Sequence, residues 1–106
     1  MAATPIRYDI RVDKEGAAIT ATFDLSLPMG DTSMIATFTL SVDGTNLIGE
    51  VKPGNKMFKG SRTFRLADAA QDALVQFAMS TNQGWSDSDH GTLRGDKKYD
   101  DVHFAN

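Results

Sequence analysis

A chain of 106 residues that is 41% hydrophobic can build one modest core and not two, so it reads as a single domain over 1–106. Its formal charge of −3 and pI near 5.1 set a field that repels polyanions, which disfavours nucleic acid and anionic membranes as bulk partners. The absence of cysteine excludes a disulfide framework, a thiol nucleophile and a thiolate metal site.

The N-terminal stretch Met1–Ile10 lacks the apolar centre of a secretory signal, and no run approaches the roughly 20 apolar residues that span a bilayer. The expectation is a cytoplasmic protein or one released without a leader. Three runs of strict alternation then follow. Ile6, Tyr8, Ile10 and Val12 share one face; Ile19, Ala21, Phe23, Leu25 and Leu27 share the next; Met34, Ala36, Phe38, Leu40 and Val42 share the third. A period of two sends successive side chains to opposite sides of a strand, so each run has one face for a core and one for water. The first two runs are joined through Gly16 and are expected to pair as a hairpin.

Pro28-Met29-Gly30-Asp31-Thr32-Ser33 separates the second run from the third, and Asp43-Gly44 ends the third with a strong hairpin signal. A fourth strand is expected over Leu47–Val51, a turn at Lys52-Pro53-Gly54-Asn55, and a fifth strand over Arg62–Leu66. Residues 67–80 have two readings. One is a helix from Ala67 to Met79; the other is a single helical turn over Ala67–Asp72, then a strand with Ala73, Val75, Phe77 and Met79 inward. In outline the second arrangement resembles immunoglobulin-like sandwiches. Residues 81–98 are polar and glycine-bearing and are expected as a long loop or a loop with a short strand, before a closing strand at Val102 and Phe104.

The elements predict an all-β fold: an antiparallel β-sandwich of about six or seven strands with one short helical segment. The alternative is α+β, one antiparallel sheet with a helix packed on it. Phe23, Phe38, Leu40 and Phe64 are expected to be buried together.

The acidic segment from Gln83 to Asp101 holds the main candidates for function. Asp87, Asp89, Asp96, Asp100 and Asp101 are interspersed with serines, His90 and Gly91, and calcium takes six to eight oxygen ligands of this kind. Asp96, Asp100 and Asp101 are the expected metal ligands, although a solvated loop has the same composition and Arg94, Lys97 and Lys98 offset its charge. The stretch from Asp96 to Val102 resembles the D-x-D-Y-N-D motif of calcium-dependent β-sandwich lectins. Asp96, Tyr99 and Asp101 match, Asp100 replaces the asparagine, and Lys98 stands where the family has an acid. The resemblance implies calcium-assisted sugar binding. Trp85, beside Gly84, is expected either to stack on a ligand or to cap the core. With Asp87, Asp89, His90 and Tyr99 it completes the expected ligand-binding set.

A basic group, Lys52, Lys56, Lys59, Arg62 and Arg65, brackets Met57 and Phe58. Its cations are expected to face the acidic segment, within one molecule or between subunits. The outward positions of the second and third runs carry Thr20, Thr22, Ser26, Thr37, Thr39 and Ser41, a ladder that can present flat hydroxyls to a repetitive ligand such as a polysaccharide or ice and that exposed strands also favour by themselves. His90 and His103 accompany no nucleophile-elbow sequence, and no phosphate-cradling glycine loop occurs. The expected function is therefore non-enzymatic recognition of a carbohydrate or protein ligand through residues 83–101, with calcium assistance. The competing readings are a self-assembling homo-oligomeric subunit of a particle, appendage or secretion apparatus, and a small hydrolase.

Overall fold

The computed structural model describes residues 6–27, 33–52 and 57–106. These form eight strands: β1 (Arg7–Glu15), β2 (Ala18–Ser26), β3 (Ala36–Val42), β4 (Thr45–Val51), β5 (Met57–Arg65), β6 (Ala73–Thr81), β7 (Ser86–Leu93) and β8 (Tyr99–Ala105). They pair into two antiparallel four-stranded sheets, ordered β5-β2-β1-β8 and β4-β3-β6-β7. The architecture is the β-sandwich that the alternation predicts, because an apolar sheet face is buried most directly against a second one.

The three alternating runs become β1, β2 and β3, and their apolar positions from Ile6 to Val42 are buried in one core. Asp43 and Gly44 both take positive φ, 50° and 82°, as a two-residue hairpin turn between β3 and β4 requires. Residues 73–81 form a strand, with Ala73, Val75, Phe77 and Met79 buried and Leu74, Gln76, Ala78 and Ser80 exposed. The expected helical turn before it is absent: Asp68 O accepts only from Gln71 N, at 3.1 Å, within a plain turn. Among the described residues there is no helix, and hence none long and apolar enough to cross a membrane. The α+β alternative is thereby excluded for the described residues.

β5 and β7 depart furthest from the expected bounds. β5 begins at Met57 because it pairs along the whole of β2, Ser26 opposite Met57 through Ala18 opposite Arg65. Eight residues of the expected loop form β7, paired to β6 from Ala73–Leu93 to Ser80–Ser86. Polar composition hides β7 because it is an edge strand with one apolar inward residue, Leu93. The aromatic cluster also differs from expectation. Phe38 lies 5.1 Å from Phe58 and 6.1 Å from Phe23 between ring centroids, and Phe64 is only half-buried. Residues 28–32 and 53–56 lie outside the described residues, and with them Lys56 and most of the expected breaks at Pro28–Ser33 and Lys52–Asn55.

Candidate functional site

The β6–β7 hairpin fixes the start of the acidic segment. Thr81 N donates to Trp85 O at 2.8 Å, Trp85 N donates to Thr81 Oγ1 at 3.2 Å, and Gly84 takes a φ of 86°. This geometry places Trp85 half-buried against the core, the capping role. From there the strand period separates the candidates. Asp87, Asp89 and Gly91 share the inward side with Leu93, whereas Ser86, Ser88, His90 and Thr92 point outward.

Asp87 accepts a hydrogen bond from the Tyr8 hydroxyl. Burial pushes the Tyr8 phenol well above its ordinary range, and the hydrogen bond and negative charge of Asp87, with the charge of Asp89, push it further. Asp87 and Asp89 thus sit beside a protonated phenol at the margin of the core. Gly91 lies opposite Val102 on β8: a Cβ there would come within 2.8 Å of Val102 Cγ1, so the edges of the two sheets meet at this point.

Of the remaining acids, Asp100 and Asp101 line one groove of about 550 Å³ with Tyr99, Asp13, Glu15, Lys14 and Lys97, and Asp96 is not part of it. Asp96 lies 3.8 Å from Arg94 Nε in an exposed pair. Asp100 accepts from Arg94 N at 2.8 Å and from Asp101 N at 3.0 Å, and the first of these bonds leads the causes that hold its carboxyl below the usual range. Asp101 occupies the outer face of β8, opposite Asp13. Among the described residues no group of three or more acidic or histidine side chains could hold a metal ion. Asp96 and Asp100 are neighbours in sequence whose carboxylates serve different local contacts. Tyr99 is exposed on the other sheet from His90, with the Lys98 ammonium 5.4 Å from its ring centroid. Beneath this turn Lys14 is buried, its Nζ donating to Lys97 O at 2.7 Å. The five expected ligand contacts therefore do not converge on one surface.

The described residues of the basic group do not face the acidic segment within the molecule. β5 and β8 are opposite edges of one sheet. Two of its cations pair locally instead: Lys59 lies 3.7 Å from Asp24 and Lys52 3.9 Å from Glu50. Across the outer face of β5-β2-β1-β8, charged residues dominate: Lys59, Asp24 and Asp9 form one row, and Arg11 and His103 are opposed in the next. His103 Nε2 lies 2.5 Å from Asp9 Oδ1 on this open face.

The outer face of β4-β3-β6-β7 has a different chemistry. Register aligns Glu50, Thr37, Ser80 and Ser86 in one row, Ile48, Thr39, Ala78 and Ser88 in the next, and Asn46, Ser41, Gln76 and His90 in a third. Glu50, at the margin, is the one carboxylate in these rows, and none contains Lys or Arg. A groove of about 690 Å³ runs across the face past Thr39, Ser41, Asn46, Gln76, Ser88 and His90, with Asp89 at its β7 margin. A second, of about 500 Å³, shares Thr39 and Ser88 with it and reaches Thr37, Ser80 and Ser86, with Asp87 at the same margin. The expected set contributes only His90 to the side chains of these rows. Gln76 and Ser80 were legible as outward positions of the strand reading, whereas Asn46 precedes the expected fourth strand and Ser88 falls in the expected loop, and no local signal shows which strands become neighbours.

Comparison of the chain with protein-family models, with curated proteins and with solved structures returned no match.

Proposed function

We propose that the protein is a non-catalytic recognition module and that it binds through the outer face of the β4-β3-β6-β7 sheet. The ligand class is a neutral, hydroxyl-rich chain, that is, a carbohydrate. The observation that carries this reading is the asymmetry of the two outer faces: one is ruled by charge, the other by hydroxyl and amide groups in register. A neutral ligand exchanges water for hydrogen bonds on such a face without stripping solvent from an ammonium or carboxylate, which is the costly step. Strand-borne groups are held by the ladder, so little order has to be created on binding. Residues 83–101 contribute through β7, by Ser86, Ser88 and His90. Asp87 and Asp89 reach the β7 margin of the grooves, but among the described residues no three acidic or histidine side chains are grouped to hold a metal ion, so calcium is given no role on this face.

The test is calorimetric titration against a panel of neutral and acidic glycans. Ala78, exposed and aligned between Thr39 and Ser88, is the position to block. Ala78→Arg is expected to weaken binding at least tenfold, while Thr22→Arg on the opposite outer face leaves it unchanged. Equal effects of the two variants, or binding confined to acidic glycans, would refute the assignment of the face. Failure of every glycan to bind would refute the ligand class.

A second reading, a subunit of a larger assembly, has its own support in the unpaired edges of both sheets.

A further inference from the structure

A sheet edge presents unpaired N–H and C=O groups, and proteins that stay monomeric usually guard such edges with charge or cover. The four edges here are guarded unequally. β5 carries Lys59, Arg62 and Arg65. β7 turns Asp87 and Asp89 inward beside Tyr8 and approaches β8 at Gly91 and Val102. β8 carries Asp100 and Asp101. β4, with the sequence Thr-Asn-Leu-Ile-Gly-Glu-Val, has one charged residue, near its end, and its central Ile48 is 68% exposed.

We propose that β4 is a homodimer interface, pairing antiparallel with β4 of a second copy about a two-fold axis through Ile48. The strand is self-complementary in that register. A dyad at the middle residue pairs all of Thr45–Val51, with Ile48 opposite Ile48, Leu47 opposite Gly49 and Asn46 opposite Glu50. No charge meets a like charge in the ladder, and the exposed isoleucines cover each other on the outer face. A two-fold axis normal to the sheet keeps both outer faces on one side, giving a continuous eight-stranded sheet. A second copy is favoured because the central exposed Ile48 meets its own counterpart and the only charge, Glu50, meets Asn46 twice over, the reciprocal contacts an isologous interface requires. The same axis brings the two β5 strands toward each other, since β4 and β5 edge the same side of the sandwich. Their exposed Arg62 and Arg65 then repel their counterparts, so association strengthens as salt screens them. The inference does not rest on the carbohydrate reading: glycan binding by a strict monomer would refute it alone, and a dimer that binds no glycan would refute the ligand class alone.

Sedimentation velocity over a concentration series is expected to show a monomer–dimer equilibrium that shifts toward dimer with added salt. Ile48→Lys, at an exposed position, is expected to weaken dimerisation at least tenfold. Leu74→Lys, exposed on the same sheet but away from the edge, leaves it unchanged. Because the chain has no cysteine, Ile48→Cys provides an independent readout. Directly opposed residues of an antiparallel pair have Cα atoms about 4.5–5.5 Å apart, within disulfide range, so oxidation should yield a covalent dimer that Leu74→Cys does not. A monomer at every concentration, a dimer indifferent to Ile48→Lys, or a dimer that salt dissociates would overturn the proposal. The last outcome would indicate contact between the basic β5 edge and the acidic β8 edge instead.

Discussion

Replacing Gly49 by alanine probes the packing between β4 and the aromatic cluster. Gly49 lies opposite Phe38 in the β3–β4 register, and a Cβ there would sit 2.3 Å from Phe38 Cε1 and 2.4 Å from Cζ. Carbon atoms in contact prefer about 3.5–4.0 Å, so the ring would have to withdraw by about 1 Å or more. It has little room to do so: Phe38 is 1% exposed and is held against Phe23 and Phe58. Gly49 has no left-handed φ, so alanine suits its backbone and gains about 0.4–1 kcal/mol from a less flexible unfolded chain. Overpacking costs about 1–3 kcal/mol, and the clash should dominate. Urea unfolding is the assay, with a lower midpoint at unchanged slope as the expected result. Phe38→Ala costs about 3–5 kcal/mol by itself, and in that background Gly49→Ala is expected to be neutral or stabilising because its obstacle is gone. Should Phe38→Ala fail to fold, Phe38→Leu serves as the milder background. An equal loss from Gly49→Ala in both backgrounds would show that the ring is not what excludes a side chain there.

Tyr8→Phe removes a hydrogen bond to a carboxylate and is expected to cost about 1–3 kcal/mol. The folded protein holds the Tyr8 phenol above its ordinary value of 10.0, so this contribution is intact below pH 10 and is lost as pH rises further. The stability gap between wild type and Tyr8→Phe should therefore narrow in alkaline denaturant titrations; a widening gap would reverse the assignment. Asp100 is held below the usual carboxyl range by its backbone donors, and its contribution should vanish as pH falls through its folded value. Asp100→Ala is accordingly expected to destabilise the protein at neutral pH and to be indistinguishable from wild type in strong acid. Lys59→Glu, opposite Asp24 in an exposed pair, should cost about 0.2–1 kcal/mol, an effect that shrinks with salt; a salt-independent loss would remove the electrostatic account. Because the aspartates of residues 87–101 do not converge, millimolar calcium should leave the thermal midpoint unmoved, and a rise abolished by Asp101→Asn would show otherwise.

Local order in this chain was set by residue alternation, and the tertiary structure set which strands meet. The periods of Ile6–Val12, Ile19–Leu27 and Met34–Val42 determined the buried face of each strand, since a single slip would expose a whole apolar row. Asp43-Gly44 determined a hairpin for the same local reason. Ambiguity began where burial is one-sided or slight. Residues 73–81 have helical composition just before them, and only pairing between β3 and β7 makes them a strand. β7 itself has too few apolar residues to announce an edge strand. The candidate site was less legible still. A cluster of aspartates in sequence implies convergence only if the backbone is a loop; on strands Asp87 and Asp89 share one side of β7, while the successive Asp100 and Asp101 of β8 point to opposite sides. The face presented by β4-β3-β6-β7 exists through register among strands that are distant in the chain, and register depends on long-range packing rather than on any local pattern.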